Sequence, residues 1–318
     1  MRYRLLVTIS VLLMLSCAQE DSDIIHIEPA GAPTDPLPPI PAQCKPGVRV
    51  PTELTFALTR NIGGASVSDR YIGIIDYLSR ELGIPVHMKL GLSAEETVDL
   101  LRHGEVDLVW APPLAFVKIQ ELVPCVQLML TQVSKGTTFY ASYLVTRQGG
   151  AIGSLDDIQG KRLALVSRDS TSGYLLPTVY LEGRGFDLDK DFSEVVYAGT
   201  HIEALHMLLD GDVDVVATYS EVFKPAREEG LDVGQLQILA ITGRTPYDAI
   251  FAAPHLDRTV VRKVASVLAG LNVTTLDGRR ILNRYVDVDG WVYTRDWVYE
   301  SVRYLHRNLR TILQRGEP

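Results

Sequence analysis

The feature that most constrains the fold is a regular alternation of strand and helix patterns that begins after Val50. ELTFALT, PVHMKL and VDLVWA predict strands. A helix is predicted between the first two strands, in SDRYIGIIDYLSRELG, which carries apolar residues at helical spacing and ends at Gly83. SAEETVDLLRHG predicts a second helix, which begins with a Ser93/Glu96 capping box. This βαβ repetition predicts an α/β fold in which helices cover parallel sheet.

The same alternation resumes at KRLALVS and continues through the strand patterns SEVVYAG, VDVVAT and LQILAIT. Helices are predicted between and after these strands at 171–183, 201–210, 220–229, 257–270, 275–283 and 295–313. No repeat of solenoid length interrupts the pattern. The chain length of 318 residues is enough for roughly two domains or lobes.

Two long strand-like segments, 138–147 and 237–253, are predicted to cross between two lobes. Lobe 1 would then contain residues 52–147 and 244–318, and lobe 2 residues 148–243. The expected architecture is two open, mostly parallel sheets joined by the two crossing strands. Such sheets bind ligands between the carboxyl ends of their strands, so the cleft between the lobes is the expected site.

The first residues, MRYRLLVTISVLLMLSC, predict a secretory signal over residues 1–16. Two arginines precede an apolar run that is too short to span a bilayer. The ending MLSC resembles the bacterial lipobox, in which the cysteine, here Cys17, is acylated and becomes the mature amino terminus. A plain cleaved signal with an incidental cysteine is the alternative. We therefore expect an exported protein on the periplasmic side, lipid-anchored to a bacterial membrane.

Residues 17–51 are acidic and then proline-rich, which predicts a flexible or polyproline-like tether behind the lipid anchor. Cys44 and Cys125 would be the remaining cysteines of the mature chain. A disulfide between them suits an exported protein, because disulfides persist outside the cytoplasm. Two thiols fit the sequence equally well.

Composition and motifs argue against two large function classes. The formal charge is −8 and no Lys/Arg run occurs, which argues against a nucleic-acid partner. G-x-S-x-G, a P-loop and a G-x-G-x-x-G after the first strand are all missing, so we expect neither an enzyme nor a cofactor. A Ser-dependent hydrolase with Ser170 or Ser172 as nucleophile and His201 as base is the minor alternative. His201, Glu203 and His206 do not match H-E-x-x-H, so no metal site is expected.

The segment RDSTSGYLLP is the best candidate for binding chemistry. With Ser170 as N-cap, Gly173 occupies the N3 position, where an acid would complete a capping box. The missing acid leaves the helix N–H groups and the positive end of the dipole for an external anion, and the glycine lets that anion approach the backbone. The hydroxyls of Ser170, Thr171 and Ser172 could donate to a tetrahedral oxyanion. The alternative is an ordinary capped helix whose glycine allows close packing.

The longer segment GKRLALVSRDSTSGYLLPTVYLEGRGFD resembles the core motif of the substrate-binding proteins of phosphate, phosphite and phosphonate ABC importers. YAGTHIEALHMLLDGDVDVVAT, LLRHGEVDLVWAPPLAF and VDVDGWVYTRDWVYESVR resemble further blocks of the same family, so the resemblance covers about residues 52–306. It implies a two-lobed type II periplasmic binding protein that captures a small phosphorus oxyanion and passes it to a membrane ABC permease. A ligand sensor that feeds a signalling receptor is the alternative. We expect a monomer.

The resemblance also implies which residues hold the phosphoryl group. Ser170, Thr171 and Ser172 would bind the phosphoryl oxygens from one lobe. Tyr140 matches a tyrosine that donates from the other lobe, and His201 matches a histidine near the anion.

The resemblance is looser in the rest of the predicted cleft. Glu221 and Asp248 fall where phosphonate-binding relatives place acids for a ligand ammonium group. The chain departs from the family at Leu92-Ser93, where another ligand-facing tyrosine is often found. Trp110, at the end of a predicted strand, is expected either in the core or in the cleft wall.

Overall fold

Two β-sheets with helices packed on them form the fold, which a computed structural model describes over residues 35–59, 67–282 and 288–315. The predicted signal peptide and Cys17 lie outside these residues. In chain order the strands are β1 (Leu54–Thr59), β2 (Val86–Leu92), β3 (Leu108–Ala111), β4 (Gln127–Val133), β5 (Phe139–Arg147), β6 (Arg162–Leu165), β7 (Glu194–Tyr197), β8 (Val215–Tyr219), β9 (Leu236–Pro246), β10 (Ala249–Ala252) and β11 (Gly290–Tyr293).

The α-helices cover both sheets. They are α1 (Val67–Leu82), α2 (Ala94–His103), α3 (Pro113–Leu122), α4 (Leu176–Glu182), α5 (His201–Asp210), α6 (Phe223–Glu228), α7 (Arg258–Gly270), α8 (Leu276–Leu282) and α9 (Glu300–Arg315). The predicted helix at 171–183 is a π-helical turn, Thr171–Leu175, that leads into α4. Within the described ranges, none of the helices is both long and apolar enough to cross a membrane.

The first sheet has the strand order β11-β4-β10-β3-β1-β2 and the second β7-β6-β8-β5-β9. The predicted α/β class is confirmed, but both sheets are mixed. β1 pairs in parallel with β2 and β3, whereas β10 is antiparallel to β3 and β5 is antiparallel to β8. The reason is geometric: a strand that enters a sheet from the cleft starts at the edge where the parallel strands end, so it must run against them.

The crossings between the sheets are shorter than the sequence predicts. β5 and β9 both belong to the second sheet, so the chain crosses at residues 134–138 and 247–248. The two crossings contact each other, because Tyr247 N donates to Thr138 O at 2.9 Å. Sheet membership therefore changes near 138 and 247, not at the predicted boundaries of 147/148 and 243/244. Below, lobe 1 means the first sheet with its helices, and lobe 2 means the second sheet with α4–α6.

Three elements of lobe 1 were not predicted from the sequence, namely α3, β4 and β11. Pro113 is the first residue of α3, a position that suits proline because the N–H it lacks would be unpaired anyway. The predicted Ser93/Glu96 capping box at the start of α2 is confirmed, with Glu96 N donating to Ser93 Oγ and Ser93 N donating to Glu96 Oε2. Close to the carboxyl end of the chain, α9 packs against α3 of lobe 1 and α4 of lobe 2.

The amino-terminal segment 36–51, which we call the strap, differs from the flexible tether predicted through residue 51. Leu37 is buried, and the guanidinium groups of Arg295 and Arg258 donate to the carbonyls of Pro36 and Pro38. Farther along, the strap forms isolated β-bridges to Leu256 and Asp257. Apolar burial and backbone pairing therefore hold the strap against lobe 1.

A disulfide adds a covalent link between the strap and lobe 1. Cys44 and Cys125 are bonded, with 5.6 Å between their Cα atoms. The bridge that follows requires a glycine, because a Cβ at Gly47 would lie 2.2 Å from Leu256 O. Cys44 and Cys125 are 81 positions apart in the sequence, so this bond constrains a long loop of the unfolded chain.

Candidate functional site

A cavity of about 70 Å³ lies between the two lobes at the crossings. Its lining comes from the ends of strands and the starts of helices, with the side chains of Gln132, Tyr140, Ser172, His201, Tyr219, Tyr247 and Asp248. Four of these, namely Tyr140, Ser172, His201 and Asp248, are predicted ligand residues. The cavity lies where the cleft was expected.

The start of the 170–173 segment is held by its own contacts. Ser170 Oγ accepts a hydrogen bond from Gly173 N at 2.9 Å, and Gly173 O accepts one from Val166 N at 2.9 Å. A Cβ at Gly173 would lie 2.4 Å from Val166 Cγ2. Both polar groups of the Gly173 backbone therefore have protein partners, and close packing on Val166 is sufficient reason for a glycine.

The next two hydroxyl residues have different surroundings. Thr171 is buried, and its Oγ1 accepts from Leu114 N of lobe 1 at 2.9 Å. Ser142 Oγ, on β5, donates to the carbonyl of Ser172 at 2.8 Å and fixes the backbone there. Among the residues of the segment, the cavity lining includes Ser172 but not Ser170, Thr171 or Gly173.

Tyr140, on β5, lies in lobe 2 with residues 170–173 and not in the other lobe, as the resemblance implied. It forms an aromatic wall of the cavity together with two other tyrosines. Its ring stacks on Tyr247 at 4.8 Å between centroids and meets Tyr219 edge-on at 6.2 Å. Burial raises the pKa of the Tyr140 phenol well above its usual range, and the nearby Asp248 charge adds to the effect. The nearby Ser172 hydroxyl opposes part of this rise in the pKa. Tyr140 therefore remains protonated near neutral pH and can donate a hydrogen bond.

His201 begins α5 and is buried beside the cavity. Its Nδ1 lies 3.0 Å from Thr218 Oγ1, and its ring meets Tyr219 edge-on at 4.8 Å. Burial lowers the pKa of His201 to about 3, so the imidazole is neutral at pH 7. A neutral imidazole carries one N–H and one acceptor nitrogen, so the direction of the Thr218 hydrogen bond sets which ring nitrogen of His201 can donate to a ligand.

Asp248 is carried by the second crossing. Its backbone carbonyl accepts from Gln132 N at 3.0 Å, and the preceding carbonyl of Tyr247 accepts from the buried Tyr299 hydroxyl at 3.2 Å. Both donors belong to lobe 1. Loss of hydration raises the pKa of the Asp248 carboxyl to about 7. No hydrogen bond or ion pair joins that carboxyl to another residue in the part of the chain that the structure describes.

Trp110 and Glu221 do not line the cavity. Trp110 lies in the core of lobe 1, where its ring packs edge-on against Tyr71 at 5.4 Å and Trp291 at 5.3 Å. Glu221 is half-buried and accepts from Ser220 Oγ at 2.7 Å. Its charge still contributes to the raised pKa of Tyr140, so Glu221 lies near the cavity rim.

Sequence reasoning did not identify Gln132, Tyr219 and Tyr247 as part of the site. Each lies at the end of a strand or in a crossing, which is the positional signal that could have found them. Tyr247 and Tyr219 also stand next to or near the predicted acids Asp248 and Glu221 in the chain. Among the described residues, no group of three His, Cys, Asp or Glu side chains could hold a metal ion.

Comparison with known proteins gives a family match over most of this fold. The family model described as the periplasmic substrate-binding protein of the phosphonate ABC transporter matches residues 56–299. The chain is 21% identical over 216 residues to a phosphonates-binding periplasmic protein of Escherichia coli K12, over 66% of this chain and 64% of that protein. It is 25% identical over 275 residues to the phosphate-import protein PhnD of Mycolicibacterium smegmatis, over 80% of this chain and 85% of that protein. The chain thus spans just under two thirds of the first of these relatives.

Solved structures show the same fold. PhnD1 of Prochlorococcus marinus, in complex with methylphosphonate, superposes with a TM-score of 0.73 at 17% identity over 81% of this chain and 98% of that chain. A binding-protein component of an ABC phosphonate transporter of Pseudomonas aeruginosa superposes with a TM-score of 0.72 at 17% identity, over 80% and 85% of the two chains. At these identities the likeness establishes the two-lobed architecture.

Proposed function

Because this chain belongs to the family of periplasmic substrate-binding proteins of phosphonate ABC transporters, we propose that it captures a small phosphonate bearing an ammonium group. The ligand binds in the cavity between the lobes and passes to a membrane permease. The observation that carries the proposal is that the cavity lining combines neutral hydrogen-bond donors, which we call the donor side, with one carboxyl group, which we call the carboxylate side.

The donor side fits a phosphonate. Tyr140, Ser172 and His201 offer O–H and N–H groups, and burial keeps both the phenol and the imidazole uncharged at pH 7. Hydrogen bonds from neutral donors to an anion are stronger than those between neutral groups, and exclusion of water strengthens them further. This side therefore stabilises a tetrahedral oxyanion without a resident cation.

The carboxylate side fits an ammonium group. The Asp248 carboxyl faces the cavity and has no protein partner among the described residues, and its pKa is raised to about 7. A ligand ammonium would supply the missing opposite charge and favour the ionised form. A ligand without a cation would instead bind next to a protonated Asp248, since a carboxylate repels an anion.

Calorimetric titrations with 2-aminoethylphosphonate, methylphosphonate, phosphite and phosphate at pH 6 and pH 8 test this assignment. We expect 2-aminoethylphosphonate to bind tightest and to gain affinity relative to methylphosphonate as the pH rises, because Asp248 ionises over this range. Asp248→Asn is the matched variant, since it keeps the shape and removes the charge. It should remove the preference for the amino compound. Tightest binding of phosphate, equal for the wild type and Asp248→Asn, would contradict the ammonium assignment.

Ser172→Ala tests the donor side. It removes a hydroxyl that lines the cavity, so affinity for 2-aminoethylphosphonate should fall by roughly 10- to 100-fold. Thr178→Ala, a buried hydroxyl on α4 outside the cavity lining, is the control and should leave the affinity unchanged. Equal losses in the two variants would show that the Ser172 effect comes from stability and not from contact with the ligand.

Export and anchoring belong to the same proposal. The signal pattern before Cys17 and the lipobox-like MLSC support an exported lipoprotein. Mass spectrometry of the exported chain should find a diacylated or triacylated Cys17 as the first residue. A mature amino terminus elsewhere, or an unmodified Cys17, would contradict the anchor.

A further inference from the structure

Asp169, the residue before the Ser170–Gly173 segment, connects the two lobes outside the cavity. Its Oδ2 accepts from Ala94 N at 2.9 Å, and its Oδ1 accepts from Lys118 Nζ at 2.8 Å. Lys118 Nζ also donates to the carbonyl of Arg168 at 2.9 Å. Ala94 and Lys118 belong to α2 and α3 of lobe 1, whereas Arg168 and Asp169 follow β6 of lobe 2. Both oxygens of one carboxylate are thus used across the lobe boundary.

These contacts lie away from the crossings that join the lobes. α2 follows β2, which is the edge strand of the first sheet and is separated from β10 by β3 and β1. In the second sheet, β6 is separated from β5 by β8. A hinge rotation at the crossings would therefore separate Asp169 from Ala94 and Lys118.

We propose that Asp169 is a positioning residue, a latch that favours the closed arrangement of the lobes and thereby raises ligand affinity. Ala94 is the first residue of α2, so its N–H has no partner within the helix and lies at the positive end of the helix dipole. The Asp169 carboxylate satisfies that N–H and pairs with the Lys118 ammonium at the same time. Opening the lobes replaces both contacts with water.

The latch acts on the same segment that contributes to the cavity. Asp169 adjoins Ser170, whose hydroxyl caps Gly173, and Ser172 lines the cavity two residues later. Thr171 Oγ1, bonded to Leu114 N of α3, makes a second contact between this segment and lobe 1. Ligand capture and lobe closure thus depend on one short stretch of chain. The effect on affinity rests on the proposed binding function, whereas the effect on lobe spacing does not.

The test compares Asp169→Asn, Asp169→Ala and Lys118→Met with the wild type, without added ligand and with 2-aminoethylphosphonate. Small-angle X-ray scattering measures the lobe spacing, hydrogen exchange measures protection of the Ala94 amide, and calorimetry measures affinity. We expect Asp169→Ala to increase the radius of gyration of the ligand-free protein, to expose the Ala94 amide, and to weaken binding by roughly tenfold. Asp169→Asn should keep part of the Ala94 protection, because an amide oxygen can still accept.

A double-mutant cycle separates a latch from a general loss of stability. Lys118→Met should weaken binding less in the Asp169→Ala background than in the wild type, because the two residues act through one contact. Asp157→Asn is the control: Asp157 accepts from Gly153 N and Ser154 N within lobe 2, so spacing and affinity should be unchanged.

The results overturn the latch if Asp169→Ala is folded by thermal melting yet keeps the wild-type spacing and Ala94 protection. The packing of α9 on both lobes would then set the spacing. If no phosphorus ligand binds the wild type but Asp169→Ala still changes the spacing, the latch stands and the proposed ligand is wrong.

Discussion

The two sides of the cavity are built in different ways. On the lobe 2 side, residues 170–173 are held largely by their own lobe, through the Ser170 cap, the packing of Gly173 on Val166, and Ser142. On the crossing side, Asp248 has its backbone fixed by lobe 1 while its carboxyl has no protein partner among the described residues. The lobe 2 side presents neutral hydrogen-bond donors that are already held in place. The crossing side presents one acid, Asp248, whose charge no described residue neutralises.

This difference shows how the two halves of a bipolar ligand can be recognised. Neutral, pre-ordered donors bind an oxyanion at little cost in ordering, because their backbone already has its partners. An acid whose pKa lies near 7 responds to the charge of the ligand, because a cation shifts it to the ionised form. In the proposed function, recognition of the ligand anion therefore depends on local packing, whereas recognition of the ligand ammonium depends on the protonation of Asp248.

The largest expected effect is on the packing of the lobe 2 side. Gly173→Ala should destabilise the protein by about 3 kcal/mol, because the new Cβ would lie 2.4 Å from Val166 Cγ2 and 2.6 Å from Val166 Cβ. Urea unfolding at pH 7 measures the change. Val166→Ala in the same chain removes the closer contact and should recover part of the loss. A Gly173→Ala protein with wild-type stability would show that residues 170–173 can shift at little cost. The lobe 2 side would then not be more rigidly held than the crossing side.

The next largest effect is on the pH dependence of stability, because the pKa values of His201 and Asp248 are shifted in opposite directions. His201 has a folded pKa of about 3, so it binds fewer protons than in the unfolded chain, and its contribution to stability falls as the pH drops below 6.5. Between pH 7 and pH 5 this loss is about 2 kcal/mol. Asp248 has a folded pKa of about 7, so its contribution is present at low pH and is lost as the pH rises toward 7. Partial exposure of Asp248 limits that change to about 1 kcal/mol.

Urea unfolding of His201→Gln and Asp248→Asn at pH 5, 6 and 7 separates these contributions. Relative to the wild type, His201→Gln should lose less stability on acidification, and Asp248→Asn should lose more. The same slope in all three proteins would mean that neither group is desolvated as described, and the electrostatic part of the comparison would fail.

The smallest effect concerns the cap of the lobe 2 side. Ser170→Ala removes the acceptor of Gly173 N and should cost about 1 kcal/mol of stability. Affinity for 2-aminoethylphosphonate should fall only severalfold, because the cavity lining includes Ser172 and not Ser170. Asp257→Ala, which removes the cap of α7 in lobe 1, is the control and should leave affinity unchanged. Complete loss of binding in a folded Ser170→Ala protein would mean that Ser170 contacts the ligand directly.

The sequence was most informative where neighbouring residues carry the signal. The helix starts at Ser93 and Ser170 could be predicted because each cap is a contact between residues three positions apart. Alternating apolar periodicity likewise predicted the α/β class. The glycine at 173 was noticed for the same reason, although its close neighbour Val166 lies seven positions earlier and could not be inferred from the pattern.

The sequence by itself thus determined the α/β class, the helix starts, the hydroxyl segment and, through resemblance, the family. Only the tertiary structure decided which of these residues face the cavity. It placed Trp110 in the core, brought Gln132 and Tyr219 to Asp248, fixed the strap to lobe 1 and joined Asp169 to α2. These contacts join residues far apart in the chain. Their formation depends on how the two sheets pack and where the chain crosses between them, which no local pattern encodes.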